Sequence, residues 1–155
     1  MTMTISVQEN DFDIAAEVAA LTRDNNDIGA VATFIGKVRG RDGGRPLASM
    51  TLEHYPGMTE TELHRLADEA KRRFSLSAVR IIHRVGALVP GDNIVLVVAC
   101  ARHRQDAFDG CSFTMDYLKT RAPFWKKEVG VDGSGDWVDA RHSDDDAATR
   151  WGNDA

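Results

Sequence analysis

From Ile94 to Ala101 every position is apolar, IVLVVACA, with no alternation. A short β-branched run of this kind predicts a central strand covered on both faces, the hub of a sheet. Shorter β-rich runs predict further strands at 3–7 (MTISV), 29–39 (GAVATFIGKVR), 47–54 (LASMTLEH), 78–85 (AVRIIHRV) and 124–129 (FWKKEV). Helical periodicity predicts three helices. The first follows an Asp-rich stretch and puts Ile14, Val18 and Leu21 on one face. The second begins at a Thr59–Glu62 capping box and runs to about Phe74, burying Leu63, Leu66, Ala70 and Phe74. The third covers about 105–121 and is stopped by Pro123. Between the strands, RGRDGGRP at 39–46 reads as a mobile loop and Val89-Pro90-Gly91-Asp92 as a turn. The tail 130–155 is rich in Gly and Asp, with a last helical turn expected around DDDAATRW. Strands and helices are interspersed, but too few helices exist to cover both faces of a parallel sheet, so the predicted class is α+β, as one domain over 1–155.

Composition narrows the function. A net charge of −5 argues against broad nucleic-acid binding, so any basic site is local. No apolar stretch is long enough for a membrane span, and the N-terminus lacks the basic and apolar regions of a signal peptide. The two cysteines, Cys100 and Cys111, have neither zinc-site nor disulfide-framework spacing, which fits a reducing, cytoplasmic compartment. Walker, G-x-S-x-G and H-E-x-x-H patterns are absent, and no metal or cofactor is expected.

The candidate chemistry is cationic. Arg102-His103-Arg104 stands where the buried strand hands over to the third helix. Cations oppose the dipole at a helix N-terminus, so either an anion is held there or the side chains splay into water or pair with Asp106 and Asp109. On a wheel of about 100° per residue with Phe108 at zero, Lys119 falls at about 20°, inside an apparent apolar stripe of Phe108, Cys111, Met115 and Leu118. It is either a desolvated, reactive amine or a lysine snorkelling from the last turn. Lys126, beside Lys127 and Glu128, either approaches Lys119 after the chain reversal or belongs to a solvated charge run. Lys37 and Arg39 flank Val38 at a strand end, where they clamp an anion or simply solubilise the edge. His54 and His83 lie in predicted strands, without a second ligand at metal spacing. A non-catalytic module holding a nucleotide or acidic partner is the alternative to an enzyme.

GAVATFIGKVR, LEHYPGM, HRVGALVPGD, ACARHRQDAF and YLKTRAPFWKKE, in that order, resemble the large, catalytic subunit family of molybdopterin synthase over nearly the whole chain. The resemblance implies an α/β-hammerhead fold with an added antiparallel sheet. It also implies a sulfur-transferring enzyme that converts cyclic pyranopterin monophosphate to molybdopterin. The two sulfurs would come from a small ubiquitin-like subunit bearing a thiocarboxylate on its C-terminal Gly-Gly, and two large subunits would form the centre of a heterotetramer. By motif, Lys119 and Lys126 correspond to the catalytic lysines. His103, Arg104, Lys37, Val38, Arg39, Lys127 and Glu128 correspond, with both lysines, to substrate-binding positions. Arg121 stands where the family motif has Lys, and Arg141, in the tail, is left out of the candidate set.

Overall fold

The computed structural model describes residues 4–138 and 148–152. Its first sheet is built around β7 (Asn93–Ala101), the apolar run, with β5 (Ala78–Arg84) on one side and β2 (Ala30–Lys37) on the other, both antiparallel to it. β1 (Ile5–Gln8) adds in parallel to β5, giving the order β1-β5-β7-β2. Alternation along β5 and β7 divides the core. Val79, Ile81, Val95, Val97 and Ala99 face α2 (Met58–Phe74) and α3 (Arg104–Arg121). Ile82, Leu96, Val98 and Cys100 face α1 (Ile14–Thr22), which is capped by the Asp13 carboxylate on Ala16 N–H.

The second sheet is antiparallel, in the order β3-β4-β8-β9: β3 (Arg41–Asp42), β4 (Arg45–His54), β8 (Phe124–Gly130) and β9 (Gly135–Val138), with β6 (Gly86–Leu88) also on β4. This is the α+β architecture with an added antiparallel sheet.

Two local expectations are corrected. The RGRDGGRP segment is a tight hairpin, β3 to β4, because Gly43 (φ 58°) and Gly44 (φ 83°) both supply the positive φ that a two-residue turn of matching twist requires. Helix α2 starts earlier than the expected box: Gly57 is its N-cap, and Glu60, not Glu62, accepts from the Gly57 N–H at 3.1 Å. Thr59 is buried instead, accepting from Tyr55 N and donating to Pro123 O, which ties α2 to the junction between α3 and β8. In the tail, β9 pairs with β8, and Ala148 and Trp151 pack against the core; the rest of the expected last turn, 144–147, and Arg141 lie outside the described residues.

Gly29, just before β2, donates its N–H to Ala101 O, and a Cβ there would land on the carbonyl oxygen of Arg102. Backbone cannot yield as a side-chain tip can. Gly29→Ala is therefore expected to lower stability by about 1–3 kcal/mol, read as a lower urea midpoint with unchanged slope.

Candidate active site

Helix α3 decides which cations can meet. It leaves the C-terminal end of β7 and packs back over β7 and β2, so its C-terminus returns to the end of the sheet where β2 and β5 finish. His103 is its N-cap and Arg104 its first residue; both are exposed, and neither ring nor guanidinium has a described carboxylate partner. Asp109 is instead bound by Gln105. At about 1.5 Å rise per residue, Arg104 and Lys119 are separated along the axis by about 22 Å, beyond the joint reach of the two side chains. Within one chain the candidate cations thus form two groups, at opposite ends of α3.

The group at the C-terminal end contains Lys119, Lys126, Lys37 and Arg39. Lys119 is exposed, which corrects the wheel reading. The stripe was centred on Phe108, yet Phe108 is 61% exposed, while Ala107, Gly110, Thr114 and Leu118 are buried. Small residues allow close approach to the sheet, and the Thr114 hydroxyl is satisfied by Gly110 O at 2.7 Å, so the contact face is less hydrophobic in composition than its rim. Lys119 stands on that rim, so of the two readings open from the sequence, a desolvated amine and a lysine snorkelling from the last turn, its exposure fits the second.

Lys126 is 27% exposed and lies 3.2 Å from Glu128 Oε1. The two are on one face of β8, beside their β4 partners Leu52 and Met50, whereas Lys127 points to the other face with Thr51 and Trp137. Glu128 is only 2% exposed, and its Oε2 is buried with no described hydrogen-bond partner. Val38 is likewise buried, in a cluster with Met50, Leu52 and Leu88, so its side chain is packing rather than a contact surface. Its backbone is fixed by the turn, Val38 N to Asp92 O and Gly91 N to Val38 O, and that pins exposed Lys37 and Arg39 on either side. Lys37 Nζ also donates to Gly91 O. Arg121 takes no part: it pairs with Glu69 at 2.8 Å and lies over the Tyr117 ring, tying α3 to α2.

Sequence reasoning passed over His83. It is 5% exposed and stacks on Phe124, with centroids 3.7 Å apart and planes 15° apart. Phe124 precedes Lys126 on the same face of β8, about 6.8 Å along the strand. Burial pushes the imidazole down to about 4; a hydrogen bond to the Arg84 carbonyl opposes this, and the charges of Lys119 and His54 add to the lowering. The imidazole thus feels the charge of Lys119 on α3 and is covered on one face by a ring of β8, the strand that carries Lys126.

Neither thiol is placed to carry sulfur. Cys100 is buried near the C-terminal end of β7 and Cys111 on the buried face of α3, and burial raises both, Cys111 to about 11. A raised thiol is protonated at neutral pH and a poor nucleophile. A thiol reagent at pH 7 is expected to label neither cysteine in the folded protein and both in urea; rapid labelling of the native protein would contradict the placement.

A family model described as "MoaE protein" matches residues 7–121. The molybdopterin synthase catalytic subunit of Rhizobium meliloti (strain 1021) is 57% identical over 150 residues, 96% of each chain. Among solved structures, a molybdopterin biosynthesis MoaE protein from Burkholderia ambifaria MC40-6 superposes with a TM-score of 0.84 at 55% identity, covering 99% of this chain and all of that one. The crystal structure of molybdopterin synthase from Staphylococcus aureus, 26% identical, gives 0.82 over 90% of this chain and 99% of that one.

Proposed function

The chain belongs to the MoaE family of molybdopterin synthase catalytic subunits, and from that membership we propose how its two cationic ends share one reaction. The protein is an enzyme of molybdenum cofactor biosynthesis, a sulfur-transferring transferase. Its substrate in this reading is cyclic pyranopterin monophosphate, which leaves as molybdopterin with two new sulfurs. The donor is the thiocarboxylated Gly-Gly tail of a small ubiquitin-like subunit. Such a tail can come close to the Lys119 amine because its last residues carry no side chain.

Attack by a thiocarboxylate sulfur needs the anionic substrate held, protons exchanged, and developing negative charge stabilised. Lys119 and Lys126 serve the second and third needs: the charge of Lys119 reaches His83, and Lys126 follows Phe124, which stacks on that ring, along the same face of β8. Lys37 and Arg39 border the same end of the sheet. Glu128, a buried carboxylate with an unpaired oxygen, suits the N–H donors of a pterin ring and not its phosphate.

The observation that carries the reading is the division of the cations along α3. His103 and Arg104, at a helix N-terminus, suit phosphate, but they reach Lys119 only if a second copy of the chain supplies them. β2 offers the means: it ends the first sheet as an open edge among the described residues, with Val31 and Phe34 both 40% exposed. Open apolar edges call for cover, and a two-fold pairing supplies it. The assembly is thus a homodimer carrying a small subunit on each protomer. No described helix is long and apolar enough to cross a membrane, and we place the reaction in the cytoplasm.

The test is reconstitution. Incubated with the thiocarboxylated small subunit and cyclic pyranopterin monophosphate, the protein is expected to form molybdopterin and return the small subunit as its carboxylate. Tight binding of the pterin phosphate without product would instead identify a non-catalytic anion-binding module.

A further inference from the structure

The buried imidazole of His83 has a fixed orientation. A carbonyl oxygen only accepts, so the 2.8 Å contact between His83 Nδ1 and Arg84 O places the ring proton on Nδ1 and leaves Nε2 as a lone-pair acceptor. Phe124 holds the ring plane from one side. In β5, His83 follows Val79 and Ile81 in the row that faces α2 and α3, and it pairs across the ladder with Val95 at the end of β7 over which α3 terminates. The charges that act on it come from α3, Lys119, and from β4, His54, which lies 3.8 Å from Glu60 of α2; Lys126 and Glu128 form their own pair farther along β8 from Phe124. A full positive charge on His83 would be buried among cations; the neutral ring is the form this setting allows.

We propose that His83 is the positioning residue of Lys119: a neutral imidazole, clamped between the Arg84 carbonyl and the Phe124 ring, whose Nε2 accepts from the lysine amine and fixes where it carries its proton. The proposal rests on the catalytic reading of Lys119 and deepens it. A lysine has four rotatable side-chain bonds, and an acceptor at one point favours the rotamer that meets the substrate. An acceptor also favours the ammonium over the amine, so its removal lowers the pH at which Lys119 gives up its proton.

The test compares two variants in the complete enzyme with thiocarboxylated small subunit. His83→Phe keeps a ring against Phe124 but has no acceptor; His83→Gln loses the ring but carries an amide oxygen near the position of Nε2. His83→Phe is expected to lower kcat about tenfold, to leave KM within about twofold, and to move the alkaline limb of the kcat–pH profile down by about one unit. His83→Gln is expected to recover most of kcat and the limb. A merely structural histidine predicts the opposite ranking, with the ring-retaining variant more active and neither profile displaced. If His83→Phe folds, by its circular dichroism, and keeps the parent kcat and limb, the positioning role is overturned while the lysine reading stands. If Lys119→Ala itself stays active, the lysine reading has failed, and with it the premise.

Discussion

Lys119→Ala is expected to reduce kcat by about 10²- to 10⁴-fold, the range of a lost proton-transfer group, with little change in KM. The residue sits on the rim of α3, open to an incoming tail, and its charge is felt by the buried His83. Exposure removes one argument for a reactive lysine, desolvation, and leaves position as the stronger one: in the proposed reaction the amine is where the small subunit's terminus and the pterin meet. Lys119→Arg is expected not to rescue turnover, since a guanidinium keeps the charge yet does not release its proton near neutral pH. An active arginine variant would reduce Lys119 to an electrostatic anchor. By contrast, if His103 and Arg104 hold the phosphate as proposed, His103→Ala or Arg104→Ala removes a charge-assisted hydrogen bond worth about 1.5–3 kcal/mol and is expected to raise KM by about 10- to 100-fold while sparing kcat. Steady-state kinetics separates the two classes.

The difference between these residues was legible in the sequence only in part. The apolar run at 94–101 identified β7, and with it the strand-to-helix junction that presents His103 and Arg104. Helix α3 ended near Pro123 as its proline requires. The face of α3 was misread because a wheel weights Phe108 above Gly110 and Thr114, while packing against a sheet rewards small residues. Lys119 was picked out for burial it does not have, and it is the motif YLKTRAPFWKKE that supports it. β6 and β9 escaped notice because three or four residues among glycines carry little periodicity; their pairing to β4 and β8 is decided by tertiary contacts. The role of His83 was hidden for a similar reason. Its β-rich neighbours assigned it to a strand, but not the end of the sheet that the row reaches, nor the ring of Phe124 some forty residues later.

Two chains, each deficient in a different end of α3, are expected to restore activity to one another. If the phosphate is held by His103 and Arg104 of one protomer and sulfur is transferred at Lys119 of the other, a dimer of Lys119→Ala with His103→Ala/Arg104→Ala keeps one intact site of two. Purified through two different tags, that hybrid is expected to show about half the activity of the unsubstituted dimer, assayed below KM where loss of phosphate binding is felt. The reciprocal pairing sharpens the result. Placing all three substitutions in one protomer opposite an unsubstituted one breaks both sites when they are shared, because each lacks one contribution, and is expected to leave only background turnover. Sites complete within a single chain reverse both outcomes, with the first hybrid inactive and the second half active. The about 22 Å along α3 between Arg104 and Lys119 argues for sharing, since no rotamer of either side chain closes that gap. Failure to recover any doubly tagged species would contradict the dimer itself, and would leave the open edge of β2, with Val31 and Phe34 exposed, to be covered by some other surface.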